Sequence, residues 1–447
     1  MRMKLSYRWI VAIALFVAYS IQFLDRVKTN LLNPLIAGDL GLSMGDIGTG
    51  TFLMLIFYGP SQYISGVLTD KYGAKKMLIF SVISWSFMTF WMGFLHTRYE
   101  YFIRMALFGL LIGTEYVPSA RILMRWFNKE GRAQAQALLS WAWILTPAWA
   151  SILATQMAAH TGSWRMVFFI TGALGVLPLL LIVLVVFDRP EQYRGITQEE
   201  LQYSYKDEID AGILKGDNFK DVQSQILKHR NFSFLDLFKS KAYIAVVLVD
   251  VVMQVTYWGA SIWIPLYLAD KFGFKLQAMG YWSALYFVAG AIGSFVSSYL
   301  SDKVFHGNRR IMIATCFAGL FPFVVMIATM QTGNQILLAV VLCGMGFFAN
   351  MAWGPFLTVP AEIFTPEVYG KAMGFVNGVG YVVAAFSAKI FASLIVTTSA
   401  GKDYTNGWIF LAGCIVLGIV ASWFIQTGPQ KSTNSEAMPA SEPAAIQ

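Results

Sequence analysis

The sequence has little charge. Only 13% of its 447 residues are Asp, Glu, Lys or Arg, whereas 57% are hydrophobic and 15% are aromatic. Soluble domains carry roughly 25% charged residues, and even a long soluble chain needs a polar surface. This shortage excludes a soluble enzyme, a nucleic-acid-binding protein and a disordered scaffold. It leaves a chain whose surface is solvated by lipid.

Cysteine and histidine are also scarce. The three cysteines, Cys316, Cys343 and Cys414, all lie within apolar segments, so neither a disulfide framework nor a metal site is predicted. The 4 histidines fall in loops with no catalytic constellation around them. We therefore predict that the chain is not an enzyme and holds no cofactor. The short basic leader runs directly into a long apolar segment, which predicts a spanning helix rather than a cleaved signal peptide.

Long apolar runs are abundant. A helix needs about 20 apolar residues to cross the hydrocarbon core of a bilayer. Twelve segments meet this requirement, in two groups of six, and they cover residues 9–37, 46–69, 77–95, 99–124, 135–158, 164–187, 242–268, 278–301, 310–330, 335–360, 371–396 and 407–426. We therefore predict an all-α integral membrane protein with twelve transmembrane helices in two six-helix bundles.

The pattern of spans predicts four regions along the chain. They are an N-terminal bundle (1–187), a cytoplasmic linker (188–241), a C-terminal bundle (242–426) and a disordered cytoplasmic tail (427–447). The linker begins with Thr197 and Glu200 in the spacing of a helix start, which predicts a short surface helix there. The tail is rich in Ser, Pro and Ala, a composition that buries little apolar area.

Most of the 33 Lys and Arg residues fall in the loops on one side of the predicted membrane. Because basic loops stay in the cytoplasm, this asymmetry predicts that both termini are cytoplasmic. The net charge of +8 then follows from topology, and we predict no nucleic-acid partner. The expected location is the cell membrane, the inner membrane where there are two.

An internal repeat follows the second and the eighth spans. The first copy contains Gly66, Asp70, Lys71 and Gly73, and the second copy contains Asp302 at the position of Asp70. The first copy resembles the loop signature of the major facilitator superfamily between helices 2 and 3. The resemblance implies two bundles related by a pseudo-twofold axis, a central substrate site, and a gating role for these loop residues.

A narrower resemblance begins in the first span. Residues 23–27 read Phe-Leu-Asp-Arg-Val, residues 39–43 read Asp-Leu-Gly-Leu-Ser, and both resemble the anion:cation symporter family. That family includes transporters of aldonates, hexuronates and aldarates. Further matches are Tyr58, Gln62, Arg121, Trp164, Arg165, Trp258, Trp263, Pro265, Tyr267, Trp353 and Asn377.

The resemblance implies roles for several of these residues. Arg26 would bind the substrate carboxylate and the adjacent Asp25 would take part in proton coupling. Tyr58 and Asn377 would line the site. Glu115, about one turn beyond the family's usual position in helix 4, would be the second protonation residue. The resemblance therefore also implies that the proton is the coupling ion.

Ionisable residues at membrane depth point to the same region. Each costs at least about 2.5–3.5 kcal/mol on insertion scales, so each is a functional candidate. They are Asp25, Arg26, Lys28, Arg104, Glu115, Arg121, Asp250 and Lys389. The excess of two cations suggests an anionic ligand. Arg26 is the preferred contact because its planar guanidinium matches a carboxylate with two hydrogen bonds.

Lys28 and Asp250 depart from the family pattern. Lys28 lies three residues after Asp25, so it either pairs with Asp25 or adds a second cation to the pocket. Asp250 occupies a position where sugar-acid transporters carry a glutamine. It could form a salt bridge with Lys28 between the halves, or receive an ammonium group or a proton.

Glu115 and Arg104 are eleven residues apart, which predicts that they share a face of helix 4. Arg104 is expected to reach for the outer surface. Substrate binding to an arginine near Glu115 would release Glu115 to take up a proton. Arg121 lies off this face and is predicted to pack between helices or to lie at the cytoplasmic gate.

The predicted function is proton-coupled uptake of a small organic anion by alternating access. The predicted substrate-binding residues are Arg26, Lys28, Tyr58, Gln62, Asp250, Trp258, Trp353 and Asn377. The predicted partners are the anionic substrate and the lipid bilayer, and a monomer is expected. The alternatives are organophosphate exchange, drug efflux by antiport, and membrane sensing without transport.

Overall fold

The computed structural model describes residues 6–210, 238, 241–305, 308–330, 334–363, 366–398 and 401–425. The first group of helices comprises α1 (Tyr7–Leu40), α2 (Met44–Tyr72), α3 (Ala74–Met92), α4 (Arg98–Ile112), α5 (Tyr116–Trp126), α6 (Lys129–Thr161), α7 (Trp164–Leu174) and α8 (Val176–Val185). A 3₁₀ turn (Pro190–Gln192) and two short helices, α9 (Gln198–Ser204) and α10 (Lys206–Asp210), follow.

The second group comprises α11 (Lys241–Phe272), α12 (Leu276–Lys303), α13 (Arg309–Thr329), α14 (Gln335–Met351), α15 (Trp353–Ile363), α16 (Pro366–Ser393) and α17 (Thr405–Ser422). Between α16 and α17, strands β1 (Val396–Thr398) and β2 (Gly401–Asp403) form an antiparallel hairpin in which Thr397 is opposite Lys402.

All twelve predicted spans coincide with helices in the described part of the chain. Ten helical segments there are long and apolar enough to cross a membrane by length and composition alone. The other two predicted spans coincide with α2 and α3, of 29 and 19 residues. The all-α membrane fold is therefore confirmed, whereas the division into domains at 188–241 stays a prediction.

Local sequence signals explain several helix ends. Ser43 and Asp46 form a capping box at the start of α2, where the Ser43 hydroxyl accepts from the Asp46 backbone N–H at 3.1 Å. Gly41 ends α1 with a left-handed φ of 64°, which lets the chain turn sharply into α2. The predicted cap at Thr197 is confirmed, since its hydroxyl accepts from the Glu200 N–H at 3.2 Å.

Three passes contain a short interruption of the helix, although each remains one long apolar segment as predicted. The fourth pass ends as α4 at Ile112 and restarts as α5 at Tyr116, and the sixth and tenth break at Gly175 and Ala352. Glu115 lies in the first of these breaks, so it shares no continuous helix with Arg104. Arg104 instead lies largely buried near the Trp91 end of α3 and forms an ion pair with Glu100 at 3.0 Å.

The outer surface is apolar, and the interior holds the charges. Large hydrophobic side chains such as Phe87, Ile83 and Leu417 are more than half exposed. In water such a surface would drive association, whereas in a bilayer it faces lipid tails. The fully buried residues include Asp25, Lys28, Glu115 and Asp250, so the polar residues mark the interior where a site can lie.

The two groups of helices meet along α2–α16, α6–α12 and α1–α11. We call the end of the bundle where α1 and α6 finish the distal end. Here Gln156 of α6 donates to the hydroxyl of Tyr281 of α12 at 3.0 Å and accepts from Gln277 at 3.2 Å. Gly280 permits this approach, because a Cβ there would be 2.8 Å from the Ser151 carbonyl oxygen.

Candidate functional site

A narrow crevice lies between the two groups of helices, at mid-length of α1 and α11. Its lining side chains come from both groups and are all nearly or fully buried. They are Phe23, Arg26, Val27, Asn30 and Leu31 of α1, Tyr257, Trp258 and Ser261 of α11, and Phe287 of α12. The predicted central position of the site between the halves therefore matches the geometry.

The guanidinium of Arg26 is the principal charge in this crevice. The side chain is 3% exposed, and its carbon Cζ lies 4.2 Å from the ring centre of Tyr58 and 5.0 Å from that of Phe23. Its Nε and Nη2 groups have no hydrogen-bond partner among the described residues. Buried N–H groups of an arginine are normally satisfied, so this arrangement leaves a cationic fork available to a ligand.

Two further polar groups of the lining lack partners. The indole Nε1 of Trp258 and the hydroxyl of Ser261 are both buried without hydrogen bonds in the described structure. They lie three residues apart on α11 and therefore on one helix face. Together with Arg26 they present N–H and O–H donors from both groups of helices, an arrangement suited to an oxyanion.

An aromatic cluster packs against the crevice lining at Arg26 and Trp258, although its members Tyr58 and Tyr381 do not line the crevice themselves. Tyr58 of α2 packs against Tyr381 of α16 with ring centres 4.4 Å apart, and Tyr381 meets Trp258 edge-on at 6.2 Å. These contacts join one helix of the first group to two of the second. The rings hold the Arg26 guanidinium by cation–π contact while leaving its N–H edge unpaired.

Lys28 pairs with Asp25 and does not line the crevice. The ammonium donates to the Asp25 carboxylate and to the hydroxyl of Thr171 in α7, and Thr89 of α3 donates to the other Asp25 oxygen at 2.7 Å. This settles the alternative left open for Lys28 in favour of the internal pair. The suggested salt bridge between Lys28 and Asp250 is absent from the described structure.

Glu115 lies behind Arg26 at the break between α4 and α5. Both of its carboxyl oxygens are buried without hydrogen-bond partners in the part of the chain described. Arg26 and Asp25 are its electrostatic neighbours, and Trp85 of α3 lies beside it. The structure therefore places Glu115, a predicted protonation residue, near Arg26, the predicted carboxylate ligand.

Asp250 lies on α11 against α16. It is fully buried, and neither carboxyl oxygen has a partner among the described residues. The glycine at position 380 makes room for it, because a Cβ there would overlap the carboxylate. Tyr381 is an electrostatic neighbour of Asp250, so the residue lies beside the aromatic cluster.

Three of the five cations predicted at membrane depth are paired or exposed. Lys28 is neutralised by Asp25, Arg104 by Glu100, and Lys389 is exposed with its ammonium 5.4 Å from the Phe52 ring. Arg26 is thus the basic group that lines the crevice, beside the two unpaired acids Glu115 and Asp250.

Three other predicted substrate contacts, Gln62, Asn377 and Trp353, lie outside the crevice lining. Gln62 is buried at 7% exposure and Asn377 is half-buried. Trp353 begins α15, meets Trp143 of α6 edge-on at 4.9 Å, and leaves its indole N–H without a partner in the described structure. Trp353 therefore bridges the two groups of helices, but none of the three lines the crevice.

The predicted gating motif has one well-defined element. Gly73 ends α2 with φ 94°, and a Cβ there would be 2.9 Å from a carboxyl oxygen of Asp188. Asp188 also accepts from the Lys75 N–H at 2.7 Å, so it caps the start of α3. Sequence reasoning did not single out Asp188, which lies at the start of the predicted linker.

The other gating residues stay predictions. The side chains of Asp70 and Asp302 lie outside the described residues, and Arg121 is half-buried with interacting neighbours. Lys71 is exposed beside the Tyr72 ring. At Gly66 an added Cβ would meet only Val117, at an ordinary 3.8 Å.

Sequence reasoning also missed part of the site itself. Tyr257 and Ser261 were not singled out, although Ser261 follows Trp258 at helical spacing. Tyr381 lies one turn after Asn377, which was singled out. Thr89 and Thr171 gave no signal, because only the packing of α3 and α7 against α1 brings them to the Asp25–Lys28 pair.

Comparison with known proteins covers nearly the whole chain. Residues 15–388, and in an overlapping match residues 252–446, match the Major Facilitator Superfamily. A relative from Cupriavidus necator described as "Probable sulfoacetate transporter SauU" is 25% identical over 95% of each chain. A relative from Bacillus subtilis described as "Probable galactarate/D-glucarate transporter GudP" is 24% identical over 96% of this chain and 93% of its own.

A solved structure has the same fold. The inward-facing, unoccupied crystal structure of a bacterial homologue of the human lysosomal transporter Spinster superposes with a TM-score of 0.71, at 15% identity, over 94% of this chain and 97% of that chain. The family match, the relatives named as transporters and this fold agree. The chain belongs to the major facilitator superfamily, and it is a multi-pass membrane transporter rather than an enzyme.

Proposed function

We propose that the protein takes up a small organic anion together with a proton, by alternating access of the two groups of helices around the crevice. The observation that carries this proposal is the unpaired N–H edge of Arg26, which faces a crevice lined from both groups. A carboxylate or sulfonate would accept two hydrogen bonds from this edge. The relatives named as transporters of organic acids support the same substrate class.

The pairing of Lys28 with Asp25 favours a substrate whose acid group, bound at Arg26, carries one negative charge. Because Asp25 already neutralises the Lys28 ammonium, Arg26 alone offers a cation to the crevice. A phosphate ester carries up to two charges on one group and would leave one of them buried without a partner, at a large desolvation cost. The organophosphate alternative is therefore less well supported than a monoanionic acid group.

Glu115 is the proposed proton carrier. Both carboxyl oxygens of Asp25 are engaged, by Lys28 and Thr89, whereas those of Glu115 have no hydrogen-bond partner in the described structure. A proton on Glu115 removes its buried charge when Arg26 is engaged by substrate, and the empty Arg26 provides the nearby positive charge when that proton leaves. Proton and substrate then bind together, which is symport.

The remaining parts of the proposal concern the cell. We place the protein in the inner or plasma membrane. Both termini lie in the cytoplasm, because the Lys and Arg residues concentrate in the loops on the same side of the membrane as the termini. A monomer suffices for transport, since both sides of the crevice belong to one chain.

Uptake into proteoliposomes tests the proposal. The purified full chain is assayed with and without an inward proton gradient against monocarboxylates, sulfonates and phosphate esters. We expect gradient-driven uptake of an acid that Arg26→Ala abolishes, and that Arg26→Lys weakens by roughly tenfold or more because an ammonium lacks the planar fork. Glu115→Gln should retain exchange of substrate across the membrane but lose accumulation driven by the gradient.

Three results would contradict the proposal. If no acid is taken up under a proton gradient, the proposed function is wrong. If Arg26→Ala transports at the wild-type rate, Arg26 is not the ligand of the substrate's acid group. Preferential uptake of phosphate esters would favour the exchanger instead.

A further inference from the structure

Asp250 is an unexplained buried charge beside the substrate crevice. It is fully buried, both of its carboxyl oxygens lack partners among the described residues, and no basic group forms an ion pair with it there. A buried acid that serves only structure is normally paired or hydrogen-bonded. Asp250 therefore has unused hydrogen-bonding capacity that a ligand can satisfy.

The position of Asp250 relates it to the crevice. Asp250, Gln254, Tyr257 and Ser261 follow each other at intervals of three or four residues, so they share one face of α11. Tyr257 and Ser261 line the crevice. Asp250 lies on the same face, about two turns closer than Tyr257 to the N-terminal end of α11. It therefore flanks the path that alternating access opens to a substrate.

Arg26 and Asp250 are connected through one aromatic pair. Arg26 stacks on Tyr58 at 4.2 Å, Tyr58 packs on Tyr381 at 4.4 Å, and Asp250 is an electrostatic neighbour of Tyr381. The unpaired cation belongs to the first group of helices and the unpaired anion to the second. The site is therefore polarised across the interface between the groups.

We propose that the substrate is a zwitterion whose acid group binds Arg26 and whose ammonium group binds Asp250. This inference rests on the proposed function and names its substrate class. An ammonium supplies both the positive charge and the N–H donors that the Asp250 carboxylate lacks. A second acid group at this end would meet a like charge, so a dicarboxylate is disfavoured.

The structure supplies a matched pair of variants on one helix. A Cβ at Gly380 would overlap the Asp250 carboxylate and lie 2.9 Å from Cγ of Gln254, whereas a Cβ at Gly378 has nothing within 4 Å. Gly380→Ala therefore displaces the carboxylate without removing it, and Gly378→Ala is the control. Asp250→Asn keeps the shape and removes the charge.

The proposal is tested by calorimetric measurement of ligand affinity for the purified full chain at neutral pH. The ligands are used in pairs whose members differ only in carrying an ammonium or a hydroxyl group. The pairs are 3-aminopropanoate with 3-hydroxypropanoate, 5-aminopentanoate with 5-hydroxypentanoate, and 2-aminoethanesulfonate with 2-hydroxyethanesulfonate. We expect the amino member of at least one pair to bind wild type at least about tenfold more tightly, since a charge-assisted hydrogen bond is gained. Asp250→Asn and Gly380→Ala should abolish this preference and Gly378→Ala should keep it.

The outcomes separate this inference from the function on which it rests. If the hydroxy members bind equally well or better and still require Arg26, the zwitterion is wrong while the organic anion stands. If the preference for the amino member survives in Asp250→Asn, Asp250 is not its ligand and the assignment fails. If no probe binds wild type and no acid is taken up under a proton gradient, both proposals fail.

Discussion

Arg26 and Lys28 are two residues apart on α1, yet they have different surroundings. Two residues turn a helix by about 200°, so the two side chains point to opposite faces. Arg26 faces the crevice with two N–H groups unpaired, whereas Lys28 faces α3 and α7 and is satisfied by Asp25 and Thr171. The first is available to a ligand, and the second is a structural cation.

The Asp25–Lys28 pair should behave as one unit in stability. Removing either charge leaves the other buried and uncompensated, which typically costs about 3–5 kcal/mol. We therefore expect Lys28→Met and Asp25→Asn each to lower the midpoint of thermal unfolding in detergent strongly. The double variant should recover most of the loss, because no buried charge remains unpaired.

A double-mutant cycle checks this expectation on the purified protein. The control is Lys389→Met, because Lys389 is exposed and its loss should change the midpoint little. Additive effects of the two single changes would show that Asp25 and Lys28 are not energetically coupled, contrary to the ion pair.

At the scale of elements, the break in the fourth pass is stabilised by side chains from neighbouring helices. The Ile112 carbonyl, at the end of α4, accepts from Gln22 of α1, and the Thr114 carbonyl accepts from Ser65 of α2 at 2.7 Å. Unpaired backbone groups are expensive in a membrane, so irregular backbone persists only where such partners exist. The break places Glu115 beside α1 rather than on the α4 surface.

Helix α4 approaches α2 through two glycines one turn apart. A Cβ at Gly109 would be 2.7 Å from the Met54 carbonyl carbon, and one at Gly113 would be 2.9 Å from the Tyr58 carbonyl oxygen. Small residues at this spacing allow helix backbones to touch in membranes. This approach fixes Tyr58, and therefore Arg26, at its position in the crevice.

Gly109→Val should disrupt this helix contact. Overpacking a well-packed interior typically costs about 1–3 kcal/mol, and here the obstacle is backbone, which cannot change rotamer. We expect the thermal midpoint in detergent to fall by several degrees, with loss of uptake. Gly413→Val in α17, where a Cβ has nothing within 4 Å, is the control and should leave both nearly unchanged. An equal fall in both variants would contradict the close approach of α4 and α2.

At the scale of the whole molecule, the distal end joins the two groups of helices. Gln156 contacts Gln277 and Tyr281 across the interface, and Tyr404 beside α17 lies near Met44 of α2, its hydroxyl 3.9 Å from the sulfur. These are polar and van der Waals contacts, and none is an ion pair between the groups. Such contacts break at modest cost, as rocking of one group against the other requires.

A reversible cross-link at the distal end should stop transport. In a background with the three native cysteines replaced by alanine, Gln156→Cys and Tyr281→Cys are joined with a reducible bismaleimide. We expect uptake to be lost after cross-linking and restored by reduction, because the two groups can no longer separate there.

The control pair lies within one group of helices. Asp39→Cys and Arg165→Cys replace an ion pair between the end of α1 and the start of α7, whose atoms are 2.5 Å apart. Cross-linking them should leave uptake nearly unchanged. Transport by the cross-linked 156–281 protein at the uncross-linked rate would show that the distal contacts need not open.

Much of the fold followed from the sequence because apolar length is a local property. Each of the twelve segments had to be a helix long enough to satisfy its own backbone in lipid. The candidate site was predicted in part for a similar reason, since charges such as Arg26, Glu115 and Asp250 are costly at that depth. Their partners were not predictable, because Thr171, Thr89 and Tyr381 are distant in sequence and carry no pattern.

The sequence by itself determined that the chain is a helical membrane protein, where its spans lie, and which ionisable residues lie within them. Only the tertiary structure decided which of those charges are paired. It paired Lys28 with Asp25 and placed Glu115 at a helix interruption near Arg26. Among the described residues it left two nitrogens of Arg26 and both carboxyl oxygens of Asp250 without hydrogen-bond partners. The reason is physical: the cost of burying a charge depends on the residue, whereas its compensation depends on what other helices bring within hydrogen-bonding distance.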